Sequence, residues 1–482
     1  MKAIATVGLL LAVAGCAVIT PTPQDITMHE VPQTWSVQAP VVQAAAASDA
    51  NASGTNDLHV TSILAWWRRF NDPLLSGLID QTLQHNTDIV SARAALRQAR
   101  ALRDVATAAL WPSLGATASA QQSRSQNANT ERVQAGLSAQ WDLDLFGNQR
   151  SAWLASEAGA QASAAILADV QVSMATEVAL VYITLRSAQT RLLITQDNLV
   201  SQQETWQITA WRQQAGLVTS LDALQARAAT EQTDAQIPTL RASIDASSHA
   251  LAVLAGRAPA ALMATLRSTS QIPRSDDLTQ WQLPAQTLRQ RADVRAAEWQ
   301  VRAAIARLNQ AESARLPKVS VSGSWGASAA TMGALTHGAS VVGSLLGNVT
   351  MPLFDGGAGL AQVNAQQAAL EAAESAYQST ILLALKEVED ALVTLRGNRQ
   401  RLSHLGFAAE VATLAAQTAR QQYDSGLVDF QTVLTTQRTQ LDAQSQLASA
   451  QADVSSDQVR LYQALGGGWE PDNLSPEQPI RE

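Results

Sequence analysis

Few side chains in this sequence stand at spacings that could do chemistry. The six histidines, His59, His85 and His249 among them, show no metal-ligand spacing. No Ser-His-Asp constellation, phosphate-binding glycine loop or pair of carboxylates facing one cleft can be read along the chain, so no reaction, cofactor or metal is expected. The single cysteine, Cys16, excludes an intrachain disulfide and a Cys-based metal cluster. Its surroundings suit a modification instead. Met1-Lys2 begins positive, and Ile4 to Ala14 is an apolar run of about 11 residues, the length of a secretory h-region and well short of a spanning helix. Val13-Ala14-Gly15 then leaves only small side chains ahead of the thiol. The other polar groups that stand out, Asp222, Asp429, Thr432 and Thr435, lie just after two glycine turns.

Val13-Ala14-Gly15-Cys16 resembles the bacterial lipobox, in which the cysteine receives a diacylglycerol and becomes the mature N-terminus. The resemblance implies a lipoprotein signal peptide over 1–15 and lipidation of Cys16. Ala17 follows where an aspartate would retain a lipoprotein in the inner membrane, which implies the outer membrane. Residues 16–60 are Ala-, Pro-, Ser- and Gln-rich without a period and read as a tether.

Beyond the tether the chain must be mostly helix. The 482 residues are 46% hydrophobic and 15% charged, with 33 Lys+Arg against 41 Asp+Glu and a net charge of −8, which excludes a disordered chain and a basic nucleic-acid binder. Aromatic residues are only 4%, favouring long helices packed through small side chains. The most apolar long segment, Ala164 to Leu185, is interrupted by Asp169, Gln171 and Glu177, so no transmembrane helix is expected. A membrane crossing would then require a closed β-barrel.

The chain also repeats itself. Asp88-Ile89 matches Asp293-Val294, Pro112 matches Pro317, and Leu145-Phe146 matches Leu353-Phe354. Gly216-Leu217-Val218 matches Gly426-Leu427-Val428, and Gly256 matches Gly466. The expected organisation is a first repeat over 61–256, a linker over 257–283, a second repeat over 284–469 and a tail over 470–482. Each copy reads helix, strand pair, very long helix, turn, helix. Asn148 to Ala215 and Ala358 to Ser425 contain no proline, and helices of that length, ~100 Å at ~1.5 Å per residue, need partners along their sides. Val178, Leu185, Leu192 and Leu199 recur every seventh residue, as do Ile381, Val388, Leu395 and Leu402: a coiled-coil seam copied with the rest.

Between the helices the period changes to two. From Val133 to Leu145 odd positions are apolar or small and even ones polar or glycine. Val341 to Leu353 repeats the pattern, with Val342 and Leu346 as exceptions on the polar side. Shorter strands are predicted before each, over Leu114 to Gln121 and Lys318 to Ser328. Such alternation over ~10 residues is also the mark of a transmembrane barrel strand, and barrels begin at about eight strands. With about four strands in one chain, a barrel needs several chains; the arithmetic allows dimer, trimer or tetramer.

Trp66-Trp67-Arg68-Arg69-Phe70-Asn71-Asp72-Pro73-Leu74-Leu75 and Asn86-Thr87-Asp88-Ile89, followed by Ala92, Arg93 and Gln98-Ala99-Arg100, resemble motifs of the outer membrane factor family, TolC-like, and its NodT-type lipoprotein branch. In the second copy, Leu283-Pro284-Ala285 through Leu288-Arg289-Gln290-Arg291-Ala292-Asp293-Val294-Arg295-Ala296-Ala297-Glu298 is similar to the family's string, with Ala292 where a proline is usual. The resemblance spans Ile63 to Trp469. It implies a mainly α fold with a membrane β-barrel portion, a homotrimer sharing a 12-stranded barrel on an α-helical coiled-coil tunnel, lipid-anchored in the outer membrane and extending into the periplasm. The implied function is a passive conduit of a tripartite efflux pump, working with a periplasmic membrane-fusion adaptor and an inner-membrane transporter of the resistance-nodulation-division (RND) type to export drugs and other toxic small molecules. A type I secretion channel, or a periplasmic adaptor or scaffold lipoprotein, is the alternative.

The resemblance also assigns sites. The turns at Gly216, Leu217, Val218 and Gly426, Leu427, Val428 would be the tips that meet the adaptor. Acids near the second turn would ring the periplasmic aperture. Here Thr432 and Thr435 stand where Asp is common, and Val428 where some members carry Arg, leaving Asp429 and Asp222 as the aperture acids. Both also fit helix caps, Asp222 through Thr219-x-x-Asp222 and Asp429 as an N-cap. Pro238 should kink the helix after the first tip, with no counterpart in the second copy. Trp141 and Trp325 fit either an aromatic belt or inter-subunit packing.

Overall fold

A computed structural model describes residues 65–125, 128–268, 271–275, 290–337 and 339–467. Cys16, the tether and the string from Leu283 to Arg289 lie outside the described residues, as do the signal segment and the tail.

Helices α1 (Pro73–His85) and α2 (Thr87–Ala108) begin on side-chain caps. Asp72 accepts from the N–H groups of Leu74 and Leu75, with Pro73 pre-set for the first turn, and Asn86 accepts from Asp88 and Ile89 at 2.8 and 3.2 Å. Strands β1 (Ser113–Ser125) and β2 (Ala128–Leu143) come next, then α3 (Asn148–Gln214), α4 (Ser220–Asp234) and α5 (Gln236–Leu254). The second copy comprises α6 (Ala292–Ser313), β3 (Lys318–Ala329), β4 (Ser340–Thr350), α7 (Ala358–Asp424) and α8 (Phe430–Ala464). Helices α2 and α6 are both 22 residues long, and α3 and α7 both 67, so the repeat is kept at the level of whole elements.

The long helices start and stop by the same local chemistry. Asp144 accepts from the N–H groups of Gln149 and Arg150 at the head of α3. Asp355 accepts from Gly357 and Gly359 before α7, and those N–H donors hold its carboxyl below the usual carboxylate range. Along the helices, Val178, Leu185, Leu199, Ile381, Val388 and Leu395 of the heptads are buried, while Leu192 and Leu402 are half-buried. Pro238 has the expected effect. It cannot donate to Asp234 and its ring crowds that carbonyl, so the first copy breaks at Ala235, whereas α8 runs unbroken for 35 residues.

The four strands form one antiparallel sheet in the order β1-β2-β3-β4, the two hairpins joined through β2 and β3. Its register lines up like with like. Leu114, Ala139, Gly323 and Leu345 form one row, and Ala116, Leu137, Trp325 and Gly343 the next. On the opposite face run Ser119, Gln134, Ser328 and Ser340, and Gly115, Ser138, Ser324 and Ser344. Two expectations need correction. Strand β1, at 13 residues, is shorter than β2 at 16 but longer than expected, and β3, at 12, is not shorter than β4 at 11, because backbone pairing continues past the last apolar side chain. Strand β4 stops at Thr350 and β2 at Leu143. Pro352 cannot donate to a ladder, and Asp144 is taken up by the cap of α3.

A third correction concerns hydropathy. Helix α3 holds an 18-residue window of mean hydropathy 1.5, enough by length and composition to cross a bilayer. The charged interruptions are too few to prevent this. Part of its apolar surface is engaged within the chain, where Ala168, Ala175, Val178, Tyr182 and Ile183 are buried, while Ile166 and Leu193 stay exposed.

The described chain forms two compact units, and neither is a copy of the repeat. One comprises Ala95–Ala164 and Ala296–Ser379, including the sheet; the other comprises residues 65–94, Ala165–Arg295 and the chain from Thr380. Each unit draws on corresponding segments of both copies.

Candidate functional site

In the sheet-bearing unit, β1 and β4 are unpaired edges of 13 and 11 residues. Every residue of β4 is exposed, with Leu345 81% and Val349 66% accessible, and Trp325 is 64% accessible on the same face. Long unpaired edges, apolar in β4, are an aggregation hazard unless another strand or a membrane covers them. Trp141 donates from Nε1 to the carbonyl of Leu110 at 3.1 Å, so its ring is anchored at one end and apolar at the other.

In the second unit the two predicted turns are alike in detail. Gly216 and Gly426 take φ of 72° and 73°. Leu217 N–H donates to Arg212 O and Gly216 N–H to Gln213 O; Leu427 donates to Gln422 and Gly426 to Tyr423 in the same pattern, satisfying the last carbonyls of each long helix. Leu217 and Leu427 project into solvent, 74% and 75% accessible. The helices beyond the turns are capped in mirror image. In the first copy Thr219 is the N-cap and Asp222 sits three residues in, with the Thr219 hydroxyl 2.8 Å from the Asp222 carboxylate. In the second copy Asp429 is the N-cap and Thr432 sits three residues in, its hydroxyl donating to Asp429 at 2.6 Å. Thr435 bonds back to the carbonyl of Gln431. All four polar residues are thus placed at helix starts, three of them in capping pairs.

Thr432, through its hydroxyl and then its N–H, holds the Asp429 carboxyl below the usual range. A lowered native value makes this cap's contribution complete at neutral pH, and it is lost as pH falls through that value. Asp429→Asn keeps the acceptor and removes the charge. It is expected to lower the thermal midpoint less than Asp429→Ala, which removes the acceptor as well. Equal midpoints for wild type and the alanine variant would count against the capping role.

A second arrangement is one the sequence did not disclose. Asn86 and Arg291 occupy equivalent positions at the head of α2 and α6, and each donates to the last turn of its own copy: Asn86 to Leu254 O at 3.0 Å, Arg291 to Ala464 O at 2.8 Å. Gly256 and Gly466, at φ 70° and 78°, pack against these heads. Arg291 also forks onto Asp293 and reaches Glu387 at 2.7 Å. Nearby, burial and then the charge of Asp293 push the Asp169 carboxyl up. Arg186, 1% accessible, donates to Gln189, Ser268 O and the Tyr182 hydroxyl, which itself donates to Asp72 at 2.7 Å. Burial, then the bond to Asp72, push Tyr182 up to about 12, so it remains a donor at any working pH. Trp66 completes this region, stacked on Tyr462 at 5.6 Å. Trp66, Trp67 and Phe70 are therefore core, whereas Arg68 is exposed. In the sequence they stood out only as a run of aromatics in a motif ahead of the Asp72 cap. Among the described residues, no group of three or more His, Cys, Asp or Glu side chains is placed to hold a metal ion.

The chain is similar to known proteins along most of its length. A family model described as outer membrane efflux protein matches residues 78–257 and 283–467. Nodulation protein T of Rhizobium leguminosarum bv. trifolii is 27% identical over 416 residues, 85% of this chain and 89% of its own length. The solvent efflux pump outer membrane protein SrpC of Pseudomonas putida is 29% identical over 422 residues, 83% of this chain and 86% of its own. Among solved structures, the outer-membrane channel OprN superposes with a TM-score of 0.82 at 32% identity, covering 92% of this chain and 99% of OprN.

Proposed function

The chain belongs to the outer membrane efflux protein family, and from that premise we propose how it is assembled and what it carries. Three copies pool their sheets into one 12-stranded barrel in the outer membrane, each β4 edge pairing with the β1 edge of the next copy. The helices continue the passage into the periplasm. The observation that carries this reading is the sheet: four strands, a continuous apolar face and two long unpaired edges. In hydrocarbon an unpaired strand edge is intolerable, and four strands cannot close on themselves.

The channel is passive. Energy comes from an inner-membrane RND transporter, and a periplasmic adaptor docks at the turns Gly216-Leu217-Val218 and Gly426-Leu427-Val428, whose leucines are exposed. Cys16 carries the lipid anchor. The cargo is drugs, solvents and other toxic small molecules, a reading supported by the likeness to a solvent efflux pump component. Asp429 and Asp222 serve first as caps, and Thr432 and Thr435 leave the periplasmic aperture with weak affinity for cations.

Deletion of the gene is expected to lower tolerance of organic solvents, dyes and antibiotics severalfold, with recovery on return of the intact gene. The purified protein is expected to run as three chains in detergent and to conduct in planar bilayers, with little block by millimolar divalent cation. Unchanged tolerance together with loss of a secreted polypeptide would instead assign the channel to type I protein secretion.

A further inference from the structure

Helix α2 leads into β1, α3 leaves β2, α6 leads into β3 and α7 leaves β4, so the strand order imposes the helix order α2-α3-α6-α7 on the same unit. Contacts between neighbours agree. Arg103 of α2 lies 3.6 Å from Glu157 of α3, and Asn148 of α3 donates to the carbonyl of Gln310 of α6 at 3.0 Å. Arg315, just past α6, packs against Gly359 of α7. A cavity of about 730 Å³ opens on this layer and is lined by all four helices. Helices side by side bring their outer pair, here α2 and α7, to one cavity only on the concave face of the layer. In a closed ring of copies that face is the passage.

The lining has two parts. Ala152, Ala155 and Gly159 of α3 and Ala311 of α6 make a floor of small side chains, with Leu102 of α2 at its edge. Ala155 and Ala311 are buried, so the floor lies close to the helix backbones. Around it stand Arg307, Gln310, Gln362 and Gln366. Among the described residues, the Arg307 guanidinium and the amides of Gln362 and Gln366 have no partner, and no carboxylate lines the cavity. Each part selects by its own chemistry. A floor of alanine and glycine leaves room for a flat apolar body, the ordinary complement of a small-molecule pocket. A guanidinium beside it attracts an anion and stacks on an aromatic face. Side-chain amides donate and accept, so they add hydrogen bonds without choosing a charge.

We propose that this cavity is a transit subsite for amphipathic organic anions, planar molecules that lay an apolar ring system on the alanine floor and place a sulfonate or carboxylate on Arg307. This rests on the channel reading and adds the class of cargo that pauses in the passage. Several copies around one axis present several such sites, each with its own guanidinium. A conduit must release what it binds, and for a naphthalene-sized anion a Kd on the order of 1 mM is expected. A cation of the same shape meets no counter-charge there and passes without pausing.

The test is photolabelling of the purified full-length protein with an azidonaphthalene sulfonate, and with an azidonaphthyl trimethylammonium cation of like size, followed by peptide mapping. The sulfonate is expected to label α3 between Asn148 and Gly159 and α6 between Arg307 and Ala311, saturably, while the cation leaves these peptides at background. Arg307→Gln is expected to weaken sulfonate labelling about tenfold, the loss of one hydrogen bond to a charged group. Gly159→Leu probes the floor without touching the charge. No heavy atom lies within 4 Å of where a Cβ would stand on Gly159, so the new side chain grows into the cavity and should weaken labelling comparably. Neither variant is expected to lower the thermal midpoint. Sulfonate labelling that is spread evenly along the chain, matched by the cation, or unchanged in both variants would overturn the subsite. The same protein is also examined in planar bilayers: labelling as expected in a protein that does not conduct would keep the anion site and sink the channel reading instead.

Discussion

Replacing Arg291 with methionine is expected to destabilise the protein by about 3 kcal/mol at neutral pH, the lower end of what losing one partner of a buried ion pair costs. The lower end applies because the partners are wetter than the arginine: its side chain is 9% accessible, against 30% for Asp293 and 53% for Glu387. Methionine fills most of the volume, so the loss is chiefly electrostatic. Asp293 and Glu387 lose their cation, and the Ala464 carbonyl at the end of α8 loses its donor. The size of the loss should depend on pH, with a definite sign. Asp169, pushed up mainly by burial, is held down in part by Arg291. Because its native pKa lies above the unfolded value, the native state gains stability as pH falls through that raised value. Without Arg291 the value rises further, so the gap between variant and wild type should narrow on acidification through that raised value. Thermal midpoints at fixed protein concentration in detergent would show this; equal midpoints at neutral pH would argue that the cluster is solvated and energetically idle. Arg291→Lys should fall between the two, since an ammonium keeps the charge but cannot fork onto Asp293 while bonding Ala464.

Gly256→Ala is expected to cost about as much, roughly 3 kcal/mol, for a steric reason: about 1–2 for a left-handed backbone with a Cβ and the rest for a forced shift of packed neighbours. A Cβ there would lie 2.4 Å from the carbonyl oxygen of His85, a backbone atom that cannot swing away. Gly216 supplies the control. It has nearly the same φ but nothing within 4 Å of where a methyl would stand, so Gly216→Ala should cost only the backbone share, about 1–2 kcal/mol. Two glycines with one conformation and different surroundings thus separate strain from clash. Equal losses at both positions would mean that the close approach to His85 relaxes freely.

The features behind these two expected losses differ in how visible they were. Glycine at 216, 256, 426 and 466 is legible in the sequence because a left-handed helix end depends on a few neighbouring residues. Arg291 and its partner Asp293 stood in a recognisable string, but its other partners did not. Glu387 lies 96 residues away and Ala464 lies 173 away, and nothing local links them. Arg186 was likewise one arginine in a long helix until the fold brought Ser268, Gln189 and the Tyr182–Asp72 pair around it. The lengths of β1 and β3 were underestimated for a related reason. Side-chain alternation marks where a strand has two distinct faces, whereas the ladder ends where backbone pairing ends.

Local and periodic information was enough for the duplication, the two 67-residue helices, the heptad seams, the helix caps, the break ahead of Pro238 and the two-faced strands. Each depends on φ, on a missing N–H or on a repeat of side-chain polarity, all of which are written in consecutive residues. Tertiary structure alone decided that the compact units cut across the repeats, that Trp66 is buried against Tyr462, and that Arg291 gathers carboxylates from two further helices. It also decided which copy of a repeated position is covered and which is left bare, as with Leu434 at 3% accessible and its counterpart Leu224 at 63%. Equal sequences can meet unequal neighbours, because burial belongs to pairs of surfaces and only the folded chain says which surfaces pair.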